Sequence, residues 1–308
     1  MKFSLQYHFT AFYIKLTGIK KTFSSSPINF RKIRKGDIHI PRSRFFRRSN
    51  VNQFRIANTT ITEISKEPVE TNLLLFVHGG AFISGPNQLH WNVIEKLSKE
   101  TKQTIWVCDY PKAPENDIFE ISNNLDFVYQ KALEKYESDN IILIGDSVGG
   151  TLIMALVQRA INYKWAIPQK LLLVCPVCDS TFQNPAINAI EEKDIMLSIK
   201  GVASAKRMCA GRYDLDNAMI SPINASFKNF PTTVLYLAEN DITYADQQLL
   251  VNKLTIHSVS HKIYLGEGMP HIWPYLPFMP ESKNALHHII AEINQTEGKI
   301  IPISSLFS

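Results

Sequence analysis

Six short apolar runs constrain this chain more than any other feature. Residues 73–77, 104–108, 141–144, 171–175, 233–238 and 262–265 are each of strand length, dense in Val, Ile and Leu, and bounded by Gly, Pro, Asn or Asp. They do not alternate polar with apolar, so both faces of each strand must be covered, as in a parallel sheet. Between them lie segments with the periodicity of an amphipathic helix: 91–101, 118–136, 148–163, 244–256 and 281–294. Strand alternating with helix predicts an α/β fold, an open and mostly parallel central sheet flanked by helices. A chain of 308 residues, 45% of them hydrophobic, is long enough for one sizeable core.

Two stretches break the alternation. Residues 1–55 are basic and aromatic, and residues 179–225 carry a helix-like piece around 199–210 but no convincing buried strand. Both are expected to lie outside the sheet, packed together over the carboxyl ends of the strands, where ligands bind in open α/β sheets. The chain then divides into an N-terminal cap segment (1–55), a first core part (56–178), a cap insertion (179–225) and a second core part (226–308).

Composition excludes several alternatives. No stretch reaches ~18 consecutive apolar residues, so no spanning helix is expected. Gln6, His8, Thr10 and Lys15 interrupt the N-terminal apolar residues, which argues against a signal peptide and makes the cytoplasm the expected address. The net charge of +5 conceals an asymmetry: residues 1–60 hold 13 Lys and Arg against the single acid Asp37. A nucleic-acid or membrane-surface footprint has this look. No helix-turn-helix, zinc-finger or RNP pattern accompanies the charge, so a solvated basic surface is expected and nucleic acid is not an expected partner. Cys175-Pro-Val-Cys178 ends an apolar run and has no second pair. Buried structural thiols are expected there, with no metal and no organic cofactor.

The chemistry is concentrated in three places. Gly145-Asp146-Ser147-Val148-Gly149 is G-x-S-x-G between an apolar strand and a helical pattern, the context of a nucleophile elbow. A serine hydroxyl is a weak nucleophile, and a sharp strand-to-helix turn projects it clear of the sheet edge beside a helix N-terminus. About 70 residues earlier, His78-Gly79-Gly80-Ala81 leaves another strand. Its small residues suit a loop whose main-chain N–H groups approach a substrate oxyanion, with Val148 N–H as a further donor. His78 is expected to brace its own loop rather than act as a base. An acid and then a histidine should follow the serine. Asp241 lies just beyond the 233–238 strand and is preferred to Glu239 and Asp246; His271 lies beyond the last strand and is preferred to His257, His261, His287 and His288.

Five blocks together resemble the hormone-sensitive-lipase-like branch of the α/β-hydrolases, which includes bacterial esterases and arylacetamide-deacetylase-like enzymes. His78-Gly79-Gly80-Ala81-Phe82 is similar to its HGGG signature, and Asp109-Tyr110-Pro111-Lys112-Ala113-Pro114-Glu115 to D-Y-R-L-A-P-E. Gly145-Asp146-Ser147-Val148-Gly149-Gly150 is similar to G-D-S-A-G-G, Glu239-Asn240-Asp241 with Asp246 to the acid block, and Met269-Pro270-His271 to the histidine loop. Ala81 replaces the third glycine, and its donor survives if φ stays negative. Pro111-Lys112 replaces Arg-Leu. The resemblance implies an α/β-hydrolase fold with a helical cap and a triad of Ser147, Asp241 and His271. It also implies oxyanion donors among Gly79, Gly80, Ala81 and Val148, and an apolar pocket to which Phe82, Met196 and Trp273 are candidates. The expected function is a serine carboxylic-ester hydrolase taking a small-molecule ester of short to medium acyl length. A non-catalytic small-molecule receptor on the same scaffold, an acyltransferase and an amidase are the alternatives.

Overall fold

The computed structural model describes residues 3–65 and 71–295. Residues 1–2, 66–70 and 296–308, which belong to the expected cap segment and to the two core parts, lie outside the described residues. The strands are β1 (Asn50–Ile56), β2 (Thr59–Ser65), β3 (Leu73–Val77), β4 (Thr104–Asp109), β5 (Ile141–Asp146), β6 (Lys170–Val174), β7 (Thr232–Asn240) and β8 (His261–Pro270). They form one sheet in the order β1-β2-β4-β3-β5-β6-β7-β8. The β1–β2 and β2–β4 pairs are antiparallel, and every pair from β4 to β8 is parallel. Leu73 sits opposite Thr104 on one side and Ile141 on the other, so β3 lies at the centre. All five residues of β3 are buried, as are all of β5 and β6. Covering both faces is what an unalternated run requires, and each fully buried Leu or Ile contributes about 1.5–3 kcal/mol.

The six expected strands are all present. The two that sequence patterning did not single out, β1 and β2, form the antiparallel end of the sheet. Their sequences, NVNQFRI and TTITEIS, are polar, and β1 is exposed or half-buried throughout. Residues 50–55 therefore belong to the sheet, which shortens the expected cap segment at its carboxyl end.

The helices are α1 (Leu5–Thr17), α2 (Ile19–Thr22), α3 (Phe30–Ile33), α4 (Gln88–Glu100), α5 (Ile118–Leu133), α6 (Val148–Asn162), α7 (Ala186–Glu191), α8 (Ile199–Ala210), α9 (Tyr244–Ile256) and α10 (Pro280–Asn294). Side chains define several starts. Asn87 and His90 form a capping box on α4, and Asp117 and Glu120 form one on α5. Among the described residues no helix is long and apolar enough to cross a membrane.

The segments outside the sheet meet each other. Lys20 Nζ donates to the carbonyls of Glu191 and Asp194, both at 2.6 Å, and Ile28 N–H donates to Ser204 Oγ at 3.0 Å. Gly201 of α8 lies so close to the N-terminal chain that a Cβ there would stand 1.7 Å from Phe23 O. Polar contacts also tie both segments to the carboxyl-end loops. Tyr7 Oη donates to Gly268 O at 3.0 Å, Asn184 Nδ2 to Asp246 Oδ1 at 3.0 Å, and Gly85 N–H to Asp37 Oδ1 at 2.7 Å.

Candidate active site

Ser147 is the residue between β5 and α6. Its φ of 52° and ψ of −123° are costly for a side chain with a Cβ, on the order of 1–3 kcal/mol. The surroundings hold it there. Ser147 N–H donates to Val174 O at 2.9 Å, and Val177 N–H donates to Ser147 O at 3.1 Å, so the end of β6 clamps the turn on both sides. Gly149 lets the start of α6 sit against the end of β3, because a Cβ at that position would stand 2.0 Å from Val77 O.

The loop after β3 lies against the serine. A Cβ built on Gly79 would stand 2.9 Å from Ser147 Cβ. Gly79 N–H donates to Asp146 Oδ1 at 3.0 Å, so the expected Gly79 donor is already engaged. Among the described residues the N–H groups of Gly80, Ala81 and Val148 have no protein acceptor and remain available to an anion. Ala81 adopts φ 54° and Phe82 φ 64°. The condition of a negative φ at Ala81 is thus not met: the loop keeps the shape a glycine would take, and the alanine carries the strain.

Asp146 is the hinge-pin of this side. Its Oδ2 faces His90 Nε2 at 3.3 Å, while His90 Nδ1 accepts the Asn87 N–H at 3.0 Å. Since Nδ1 accepts, Nε2 carries the proton and donates to Asp146. His78 behaves as a brace, as expected. It is fully buried, stacks on Tyr110 at 4.5 Å, bonds Gly79 O through Nδ1 at 2.6 Å, and burial holds it well below the usual histidine range. Tyr110 Oη donates to His78 O at 2.9 Å. The Asp109–Glu115 block, despite Pro111-Lys112, is firmly held. Lys112 pairs with Asp109, and the Arg34 guanidinium reaches Ala113 O at 2.6 Å and Glu115 Oε2 at 2.6 Å.

Across the site, His271 Nδ1 lies 2.6 Å from Asp241 Oδ2. The competing acids are occupied elsewhere: Glu239 accepts Gly268 N–H at 2.7 Å, and Asp246 accepts from Asn184. Burial opposes the charged form of His271, yet the charge and hydrogen bond of Asp241 outweigh it, with Asp194 and Asp146 adding to them. The imidazole is held above the usual histidine range. Because Nδ1 donates to Asp241, Nε2 is left as a bare acceptor, the tautomer a general base needs.

Asp194, between α7 and α8, is a residue the sequence did not flag. Its Oδ1 accepts from Met196 and Leu197 N–H, both at 2.8 Å, and its Oδ2 accepts from Ile242 N–H at 3.0 Å, one residue past Asp241. Burial and the neighbouring Asp241 charge push its carboxyl up to about 6. One signal was present, an acid heading the apolar run Ile195-Met196-Leu197, but only the fold brings it to Asp241. Of the expected pocket residues, Phe82 is fully buried, and Trp273 is core, its indole N–H spent on Leu237 O at 2.9 Å. Met196 is buried beside Asp194. Cys175 Sγ lies within 4.8 Å of ligand atoms of Asp241 and His271. Burial raises that thiol far above its usual range, and the N–H groups of Ile272 and Trp273 reach it, so it packs the histidine loop onto β6.

Comparison with known proteins identifies the fold. Residues 74–274 match the family model described as alpha/beta hydrolase fold. An esterase of Acinetobacter venetianus is 27% identical over 242 residues, covering 78% of this chain and 80% of that protein. The esterase LipU of Mycobacterium tuberculosis is 26% identical over 237 residues, covering 73% of this chain and 78% of its own length. Among solved structures, an esterase from the bacterial hormone-sensitive lipase family superposes with a TM-score of 0.83 at 18% identity, over 97% of this chain and all of that one. The chain belongs to the α/β-hydrolase fold family.

Proposed function

We propose that the protein is a serine carboxylic-ester hydrolase. The observation that carries this reading is a buried His271–Asp241 pair, Nδ1 to carboxylate, in the loops that follow the strands beyond a strained Ser147. Ser147 Oγ attacks the ester carbonyl as His271 Nε2 takes its proton. Gly80, Ala81 and Val148 N–H receive the oxyanion. The imidazolium, steadied by Asp241, protonates the leaving alcohol, and water then clears the acyl-enzyme by the same route. The named activities of the sequence relatives, esterases both, support ester rather than amide chemistry.

The substrate is read as a short to medium acyl ester. Ser147 is 8% and His271 4% exposed, which supports a narrow approach rather than a broad acyl-binding floor. Residues 1–49 and 179–225 are read as the cap over it, supported by their contacts with the acid and histidine loops. A fluorophosphonate probe should label Ser147 alone, and Ser147→Ala should lose both labelling and p-nitrophenyl ester hydrolysis, by on the order of 10⁴-fold or more. Persistent labelling of that variant would sink the assignment. A p-nitrophenyl series run beside emulsified triolein tests the acyl range; preference for triolein would overturn it.

A further inference from the structure

The basic N-terminal segment supplies no reacting group, and the outer face of its first helix is unusual. One face of α1 packs on the body through Tyr7, Thr10 and Ile14, with Thr10 Oγ reaching Pro277 O at 3.4 Å. The opposite face is also apolar. Leu5, Phe9, Phe12, Tyr13 and Leu16 are 55–85% exposed. At 100° per residue they fall within an arc of about 100°, a single stripe along the outer side of the helix. Isolated exposed apolar residues are ordinary, but five on one helix face, three of them aromatic, mark an interaction surface.

Charge selects the kind of surface. Beside the stripe, α1 and α2 and the loop before Asp194 wall a groove of about 760 Å³ whose rim carries Lys15, Lys21 and Lys193. All three are exposed, and among the described residues none has an ion-pair partner; Glu192 is the exposed acid on that rim. The wider segment from residue 15 to 48 adds exposed Arg31, Lys32 and Lys35 without a described carboxylate partner. A helix with aromatic and leucine side chains outward and lysines at its flank lies in the plane of a bilayer, its apolar side chains at the acyl boundary and its cations among the head groups.

We propose that α1 docks the protein onto the surface of an anionic lipid bilayer. The helix does not cross the bilayer: 13 residues are too few, and its other face stays on the protein. The proposal is independent of the ester-hydrolase reading, since none of these side chains belongs to the site.

Co-sedimentation of the full chain with vesicles tests it. Vesicles of phosphatidylcholine with an equal part of phosphatidylglycerol should carry the protein down, and vesicles of phosphatidylcholine alone should carry much less. Salt should release it. Phe9→Ser/Phe12→Ser/Leu16→Ser should lower the bound fraction at least about tenfold, and Lys15→Glu/Lys21→Glu/Lys193→Glu should abolish the preference for anionic lipid. Hydrolysis of a soluble p-nitrophenyl ester should be unchanged in the serine variant, which shows that it folds. Protein left in the supernatant with anionic vesicles overturns the proposal, a result that needs no variant. So does undiminished binding of the serine variant. A dimer of the parent chain that the serine substitutions dissociate would assign the stripe to a second copy instead.

Discussion

The two sides of the candidate site are supported differently. On the oxyanion side, the parts that matter come from the α/β core: Asp146 at the end of β5 holds Gly79, and His90 of α4 holds Asp146. On the proton-transfer side, the support comes from the segments outside the sheet. Asp194 holds the residue after Asp241, and Tyr7 of α1 holds Gly268 in the histidine loop. The residues beside Ser147 are therefore held from within the core, with Arg34 and Asp37 of the N-terminal segment reaching only the far end of that loop at Ile83 and Gly85, whereas the acid and histidine loops are held from outside the sheet at residues close to Asp241 and His271. Damage to the two sides should be distinguishable in kinetics.

The largest effect is expected at the centre of the proton-transfer side. Asp241→Asn leaves a hydrogen-bond partner but favours the wrong imidazole tautomer, and kcat should fall by on the order of 10³–10⁴-fold. If Glu239→Gln is the crippling change instead, the acid loop has been misassigned and the comparison fails with it. Next comes Asp194→Asn. It removes an acceptor from Ile242 N–H and a negative charge that raises the His271 pKa. Turnover should drop by roughly 10–100-fold.

Asp194→Asn should also move the pH profile, and the sign follows from His271. The parent imidazole titrates above the usual 6.5, so activity, which needs its neutral form, should rise through that higher pH. Without the Asp194 charge the proton leaves more easily, and the rise should move toward acid. An unshifted profile would separate Asp194 from the histidine. His90→Gln sharpens the contrast. It loosens Asp146 and the Gly79 loop, so kcat should fall by about tenfold while the pH profile stays where it was. The smallest effect belongs to Ala81→Gly. Glycine relieves an unfavourable φ worth about 1 kcal/mol, but it also raises the entropy of the unfolded chain by a similar amount. Thermal unfolding and kcat should both stay close to the parent's, with kcat within about twofold.

How far each part was legible in the sequence follows from the same division. Strands buried on both faces leave continuous runs, so β3 through β7 could be read directly; β8 was legible through its Ile, Tyr and Leu alone, because residues 262–265 lie at the sheet edge exposed or half-buried rather than covered on both faces as expected. β1, with exposed Asn and Gln, and β2, whose buried Thr59 and Thr62 interrupt its apolar residues, carry no such signature. Ser147, Asp241 and His271 were legible because each follows a strand in a fixed order. Asp194 and His90 were not, because their partners are 48 and 56 residues away in sequence and their side chains look like those of any helix or loop. Ala81 shows a different limit: the local sequence allowed a negative φ, and the packed loop against Ser147 imposed a positive one.

The bonds of the first helix reach almost the full length of the chain. Ser4 meets Glu281 and Tyr7 meets Gly268, separations of 277 and 261 residues. During synthesis at about 5–20 residues per second, α1 waits on the order of 10–50 s before its partners leave the ribosome. Both of its apolar faces are uncovered throughout that interval. A helix whose partners are made so much later is docked late, so α1 stays within reach of chaperones and proteases through that interval.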